Sequence, residues 1–142
     1  MSNGQEVFPY IDTDIIVRFL SGDDPKKQVQ AAALFERVEN GTLRVALPVL
    51  VVGEITFVLS SPRLYHMKRA EIVGLLVPIL RLPNCVVQNR RRVFLALDLY
   101  LTTSLSFTDA YIAASMKIAG PATVYSYDRG YDRVQGIERI EP

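Results

Sequence analysis

The sequence predicts an α/β fold with a mostly parallel sheet of four to five strands and helices on both faces. Two patterns lead there. Short β-like apolar runs alternate with longer helical stretches along the chain, and parallel strands need such crossovers. Helix-starting and helix-stopping residues fall between the runs, where crossovers begin and end. With 142 residues the chain has the size of one ordinary domain. It shows no internal repeat, linker or low-complexity stretch, so a single domain over residues 1–142 is expected.

The first strand reads as "EVFPYI", with Pro9 arguing for irregularity or an exposed edge. "IIVRFL" follows as a short helix. Asp24 is placed to cap the next helix, with Pro25 at its first position. That helix continues through "KKQVQAAALFERVEN", with Val29, Ala33, Phe35 and Val38 near one face and Gly41 as its stop. "RVAL" is a second strand, and Pro48 opens a helix that reaches Ser60. After the turn "SPRLYHM" comes the helix "KRAEIVGLLVPILRL", which Pro78 should kink or end early. "CVVQ" is a third strand, followed by the helices "RRVFLALDLYLTT" and "SFTDAYIAASMKIAG", the latter closed by Gly120. "ATVYSY" supplies a fourth strand and "GIERIEP" a fifth.

Composition excludes several classes. A formal net charge of +1 announces no global nucleic-acid binder, so any such contact must come from local patches. The single cysteine, Cys85, forms no internal disulfide and reads as a small core residue. No cysteine–histidine cluster exists to hold zinc, and the lone His66 in "LYHMK" reads as a surface residue. The N-terminus "MSNGQEVFPY" lacks the basic-then-apolar pattern of a signal peptide. The longest apolar run, Leu43 to Leu59, is broken by Arg44, Pro48, Gly53 and Glu54, so no membrane span is expected and the cytoplasm is the default compartment.

The acidic residues carry the chemistry. Ligands of parallel α/β sheets bind beyond the carboxyl ends of the strands. Asp12 and Asp14 follow the first strand, and Asp128 and Asp132 follow the fourth. On the helix from Pro48 to Ser60, Glu54 points away from Gly53, Thr56 and Ser60, amid Leu50, Val51, Phe57 and Val58. A glutamate within an apolar stripe calls for a partner. Asp109 lies on the side of Ile112, Ala113 and Met116. Local roles stay open for each: Asp12 or Asp14 as a helix cap, Asp109 in the capping box Ser106-Phe107-Thr108-Asp109, Asp128 in a turn, Glu54 beside a core arginine.

Four carboxylates at one sheet edge repel, each like pair costing about 4 kcal/mol at ~4 Å and an effective dielectric of ~20. Arginines or divalent cations would offset that cost. An all-oxygen set without histidine or cysteine suits hard ions such as Mg²⁺ or Mn²⁺. Such ions activate water and neutralise a phosphodiester, so metal-dependent phosphoryl hydrolysis is the chemistry indicated.

The order "DTDIIVRFLSGDDP", "GEITFVLSSPRLY", "LSFTDAYIAASM" and "VYSYDRGYDRV" resembles PIN-domain ribonucleases, and within them VapC-type toxins of bacterial toxin–antitoxin pairs. The resemblance runs from about Tyr10 to the end of the chain. It implies a three-layer α/β/α domain in which Asp12, Glu54, Asp109 and Asp128 are the acids that bind Mg²⁺ or Mn²⁺ and cut RNA. It also implies a homodimer held in check by a cognate antitoxin. Thr13 and Ser126 fall on positions that often orient the ligands or the phosphate. The chain departs from the pattern at Asp14, where asparagine is usual, at Ser106, often an acid, and at Gly130, also often an acid, which leaves Asp132 as a candidate substitute. Arg18, Arg63, Lys68, Arg69 and the Arg90-Arg91-Arg92 run are candidate contacts to an RNA backbone.

Two other readings remain at this level. A haloacid-dehalogenase-like phosphatase also begins with Asp-x-Asp, its first aspartate a covalent nucleophile. Its second strand would need a Ser or Thr that "RVALPVL" lacks, and it leaves Glu54 and Asp109 unused. A PIN fold that only binds RNA or a partner is the non-catalytic alternative.

Overall fold

The computed structural model describes residues 7–142. Glu6, the first residue of the expected opening strand, and the residues before it lie outside the described residues. Helices dominate, in the order α1 (Thr13–Ser21), α2 (Pro25–Glu39), β1 (Val45–Ala46), α3 (Val49–Ser60), α4 (Arg69–Leu80), β2 (Cys85–Val86), α5 (Arg90–Thr102), α6 (Phe107–Ala119), β3 (Ala122–Tyr125), a 3-10 helix (Arg129–Arg133) and β4 (Ile137–Ile140). The chain divides into two compact units, Met1–Ile55 with Gly74–Gln88 and Thr56–Val73 with Asn89–Pro142.

In the first unit β1 and β2 pair in parallel, Val45 opposite Cys85 and Ala46 opposite Val86. The expected opening strand shrinks to a single parallel bridge from Tyr10 to Ala46. The Ile11 N–H donates to the Ala46 carbonyl at 2.9 Å, and the Ala46 N–H to that of Pro9 at 2.8 Å. Pro9 has no N–H of its own, so the ladder cannot extend through it as a donor. β1 is cut short by Pro48. In the second unit β3 and β4 pair in parallel from Ala122–Ile137 to Tyr125–Ile140. Among the described residues the parallel pairing is thus two short sheets rather than one run of four to five strands.

The caps explain most helix ends. Asp24 accepts from the Lys27 N–H at 3.0 Å and Pro25 opens α2, as its sequence predicts. The burial on α2 falls on Ala31, Phe35 and Val38, whereas Val29 is 69% exposed and Ala33 also faces outward. Phe35 stacks at 4.7 Å against Phe19 of α1, which selects that face. Gly22, left-handed at φ 67, closes α1. Ser106 caps α6 through the Asp109 N–H at 3.2 Å. Pro78 does not end α4 early, because the helix continues to Leu80 and only its last turn follows the proline. Cys85 is fully buried and His66 exposed, each as expected.

One cation organises the second unit. Arg69, at the start of α4, donates to the carbonyls of Tyr100 (2.7 Å), Ser104 (3.2 Å), Thr103 (3.4 Å) and Leu105, and lies 4.1 Å above the Tyr100 ring. Tyr100 lies in the last turn of α5, whose carbonyls lack helical partners, and the other three follow in the connection to α6. The guanidinium therefore fixes the α5–α6 connection and is not available to an RNA backbone, contrary to its sequence-level assignment. Replacing Arg69 by Ala leaves these carbonyls unsatisfied and should lower stability by about 2–3 kcal/mol in urea denaturation. A loss within about 0.5 kcal/mol, the range of an ordinary surface substitution, would show the contacts to be dispensable.

Candidate functional site

In the first unit, the extended segment that ends at Ile11 turns into α1 at Asp12 (φ −91, ψ 167). The Thr13 N–H donates to Asp12 Oδ1 at 2.7 Å, so the carboxylate closes the helix start. Thr13 itself is buried, and its hydroxyl donates to Glu54 Oε2 at 2.8 Å. One threonine thus holds two acids distant in sequence, one through its amide and one through its hydroxyl.

Glu54 differs from expectation in its surroundings. α3 buries Val51, Val52, Ile55 and Leu59, while Leu50 and Phe57 on the Glu54 side are 83% and 75% exposed. The helix is apolar nearly all round, and the more continuous of its two apolar faces takes the core. Glu54 is consequently exposed rather than buried in an apolar stripe. Asp14 is exposed in the first turn of α1, beside a groove of about 380 Å³ lined also by Ile15, Arg18, Lys27 and Leu34.

In the second unit, the chain leaves β3 and enters the 3-10 helix through Ser126 and Asp128. The Asp128 N–H donates to Ser126 Oγ at 3.0 Å, and Asp128 Oδ1 accepts from the Gly130 N–H at 2.8 Å. Asp109 sits half-buried in the first turn of α6, where the helix dipole favours its charge. Tyr131, only 2% exposed, donates its hydroxyl to the Asp109 carboxylate. Burial, then the Asp109 charge and this hydrogen bond, then the Asp128 charge push the phenol up to about 12. The sequence reading did not single out Tyr131; its only signal was an aromatic beside a glycine directly after the fourth acid.

Gly130 explains one departure from the resembled pattern. It is buried, and a Cβ there would stand 2.8 Å from Leu105 Cδ2 and 3.0 Å from both Ser104 Oγ and Asp128 Oδ1. Position 130 has no room for an acid. Asp132 faces elsewhere, paired with Arg139 Nε at 2.9 Å, and that hydrogen bond holds its carboxyl below the ordinary range. Arg139 also bonds Glu141 at 2.7 Å and the Ser126 carbonyl at 3.1 Å.

The acids therefore fall two to a unit: Asp12 and Glu54 both meet Thr13, while the charges of Asp109 and Asp128 both act on Tyr131, which hydrogen-bonds Asp109. Among the described residues no group of three or more His, Cys, Asp and Glu side chains lies close enough to hold a metal ion. The donor set of both pairs is oxygen only, the chemistry that hard divalent ions prefer. Of the basic candidates, Arg18 is engaged by Asp23 at 2.9 Å, and Arg92 lies 5.8 Å from the Tyr111 ring. Arg63, Lys68 and Arg91 are exposed.

Comparison with known families gives one match: the model of the PIN domain covers residues 10–137. No curated protein matches the chain at a significant level.

The tight seat of Gly130 yields a direct expectation. Gly130→Ala should lower stability by about 1–3 kcal/mol through overpacking against Leu105, read as a drop in thermal midpoint. An unchanged midpoint would mean that the 3-10 helix can shift away from the α5–α6 connection at no cost.

Proposed function

The chain belongs to the PIN domain family, and from that membership we propose that it is a Mg²⁺- or Mn²⁺-dependent endoribonuclease, the toxin of a toxin–antitoxin pair. PIN domains are in general metal-dependent nucleases that act on nucleic acid. Asp12, Glu54, Asp109 and Asp128 are the ligands we assign to the metal. Thr13 and Ser126 hold those ligands through the hydrogen bonds described above.

The observation that carries this reading is that all four acids meet neutral donors and none is paired with a cationic side chain. Each accepts from a neutral donor: the Thr13 amide, the Thr13 hydroxyl, the Gly130 amide or the Tyr131 hydroxyl. None of the four is in an ion pair among the described residues. Acids oriented by neutral donors rather than by cationic side chains suit the binding of a cation from solution. When bound, a divalent ion neutralises the scissile phosphate and acidifies a water for attack on phosphorus. The protein's part is to fix the carboxylate oxygens, and no side chain need act as covalent nucleophile. The phosphatase alternative would require Asp12 for that purpose and leaves Glu54 and Asp109 without a role.

In this reading Arg63, Lys68 and Arg91 contact the RNA backbone, and the working form is a cytoplasmic homodimer inhibited by its antitoxin. No described helix is long and apolar enough to cross a membrane.

Wild-type protein should cut single-stranded RNA with Mg²⁺ and stop when EDTA is added. Asp12→Asn and Asp109→Asn should each reduce cleavage by at least about 100-fold, in line with the loss of directly acting charged groups. Their thermal midpoints should stay equal or rise, since asparagine caps a helix as well as aspartate and one like charge is removed. Cleavage by Asp109→Asn at the wild-type rate would contradict the assignment. An adjacent small frame whose product relieves growth arrest by this protein would support the toxin role, and absence of arrest on expression would count against it.

A further inference from the structure

The sheet of β3 and β4 packs against α6, and two tyrosines stand out on its other side. Side chains alternate along β3: Ala122 and Val124 are half-buried, while Thr123 and Tyr125 are exposed. On β4 their partners Glu138 and Ile140 are exposed as well. The alternation carries past the strand end, with Ser126 half-buried and Tyr127 exposed. Tyr125 is 73% exposed and Tyr127 71%. Neither side chain has a hydrogen bond or a ring contact among the described residues.

The backbone beneath the rings is tied down. The Ser126 N–H donates to the Ile140 carbonyl at 3.1 Å, Arg139 Nη1 to the Ser126 carbonyl at 3.1 Å, and the Asp128 N–H to Ser126 Oγ at 3.0 Å. Chain geometry places the Cα atoms of Tyr127 and Tyr125 within about 4 Å and about 11 Å of that of Asp128. Arg129, the next residue, is exposed and in no ion pair among the described residues.

Aromatic faces beside an unpaired cation suit single-stranded nucleic acid. Every base has a π-face, and each base stacked on an aromatic ring is worth about 5- to 100-fold in affinity, with little regard to sequence. A second copy of the chain fits this surface less well. Two tyrosines bury at most about 500 Å² between them, against about 800 Å² on each partner of a standard interface. Asp128, Arg129 and Glu138 border them with charge.

Resting on the nuclease reading, we propose that Tyr125 and Tyr127 form a stacking platform for unpaired bases of the RNA beside Asp128, with Arg129 on an adjoining phosphate. Such a platform confines the substrate to single strands without fixing a base sequence, because paired bases stack on one another and withhold their faces.

The test reads anisotropy of a labelled single-stranded RNA on the full chain, with EDTA present to prevent cleavage. Tyr125→Ala and Tyr127→Ala should each raise Kd by about 5-fold or more, and the double variant further. Phenylalanine at both positions should bind as wild type does, since stacking needs the ring and not the hydroxyl. Thermal midpoints should not move, both side chains being exposed. A wild-type Kd in the double alanine variant overturns the proposal and leaves the nuclease reading standing. A changed oligomeric state with Kd intact does the same, and assigns the tyrosines to a second copy.

An oligomer with abasic sites keeps the phosphates and loses the faces. Wild-type protein should bind it about as weakly as the double alanine variant binds intact RNA. Equal affinity of the wild type for both oligomers overturns the stacking proposal alone. Wild-type protein that neither binds RNA nor cuts it with Mg²⁺ overturns both readings.

Discussion

In the proposed reading, a carboxylate that receives a cation has to be held in place without a cationic side chain on it, and the acids assigned here meet that requirement. Arginine or lysine would hold an acid more strongly, but would also occupy it and cancel its charge. Neutral donors avoid that outcome. Thr13 supplies two of them, its amide to Asp12 and its hydroxyl to Glu54. Tyr131 and the Gly130 amide supply the corresponding pair to Asp109 and Asp128. The chain does use ion pairs, but elsewhere: Arg18 with Asp23, and Arg139 with Asp132 and Glu141. The acids in these ion pairs are Asp23, Asp132 and Glu141, and none of the assigned ligands is among them.

Holding a carboxylate through a neutral hydroxyl works only if the hydroxyl itself cannot move. Thr13 is buried at the start of α1, and as a β-branched residue it has few rotamers to lose. Tyr131 depends on a longer chain of support. Arg69 ties the carbonyls at the end of α5, the connection that follows presents Leu105 and Ser104, and Gly130 packs onto both. A basic residue that could have served a nucleic acid is spent instead on the scaffold beneath a candidate ligand.

The helices were readable because their determinants are local. Asp24 with Pro25, Pro48, Ser106 and Gly120 each act within a turn of their own position, and the helices begin or end where these residues stand. Strand extent was not readable, since pairing depends on partners far along the chain; the opening run "EVFPYI" is reduced to the bridge at Tyr10. The orientation of Glu54 was lost for another reason. α3 has apolar residues on almost every side, so periodicity cannot choose its inward face, and the exposed Leu50 and Phe57 looked like core. The assignment of Arg69 failed because a cation at a helix start looks the same in sequence whether it faces water or a set of carbonyls. Asp12, Glu54, Asp109 and Asp128 were visible as a pattern of acids, whereas Tyr131 could be found only from the fold, because its contact with Asp109 joins separate elements.

The central proposal is that Asp12, Glu54, Asp109 and Asp128 are ligands for divalent cations. Anomalous diffraction from crystals soaked in Mn²⁺ tests it most directly. The account predicts manganese bound through carboxylate oxygens of the proposed ligands, those of Asp12 and Glu54 or those of Asp109 and Asp128. A peak on the ion-paired acids Asp23, Asp132 or Glu141, or well-ordered carboxylates with no peak at saturating Mn²⁺, would contradict it.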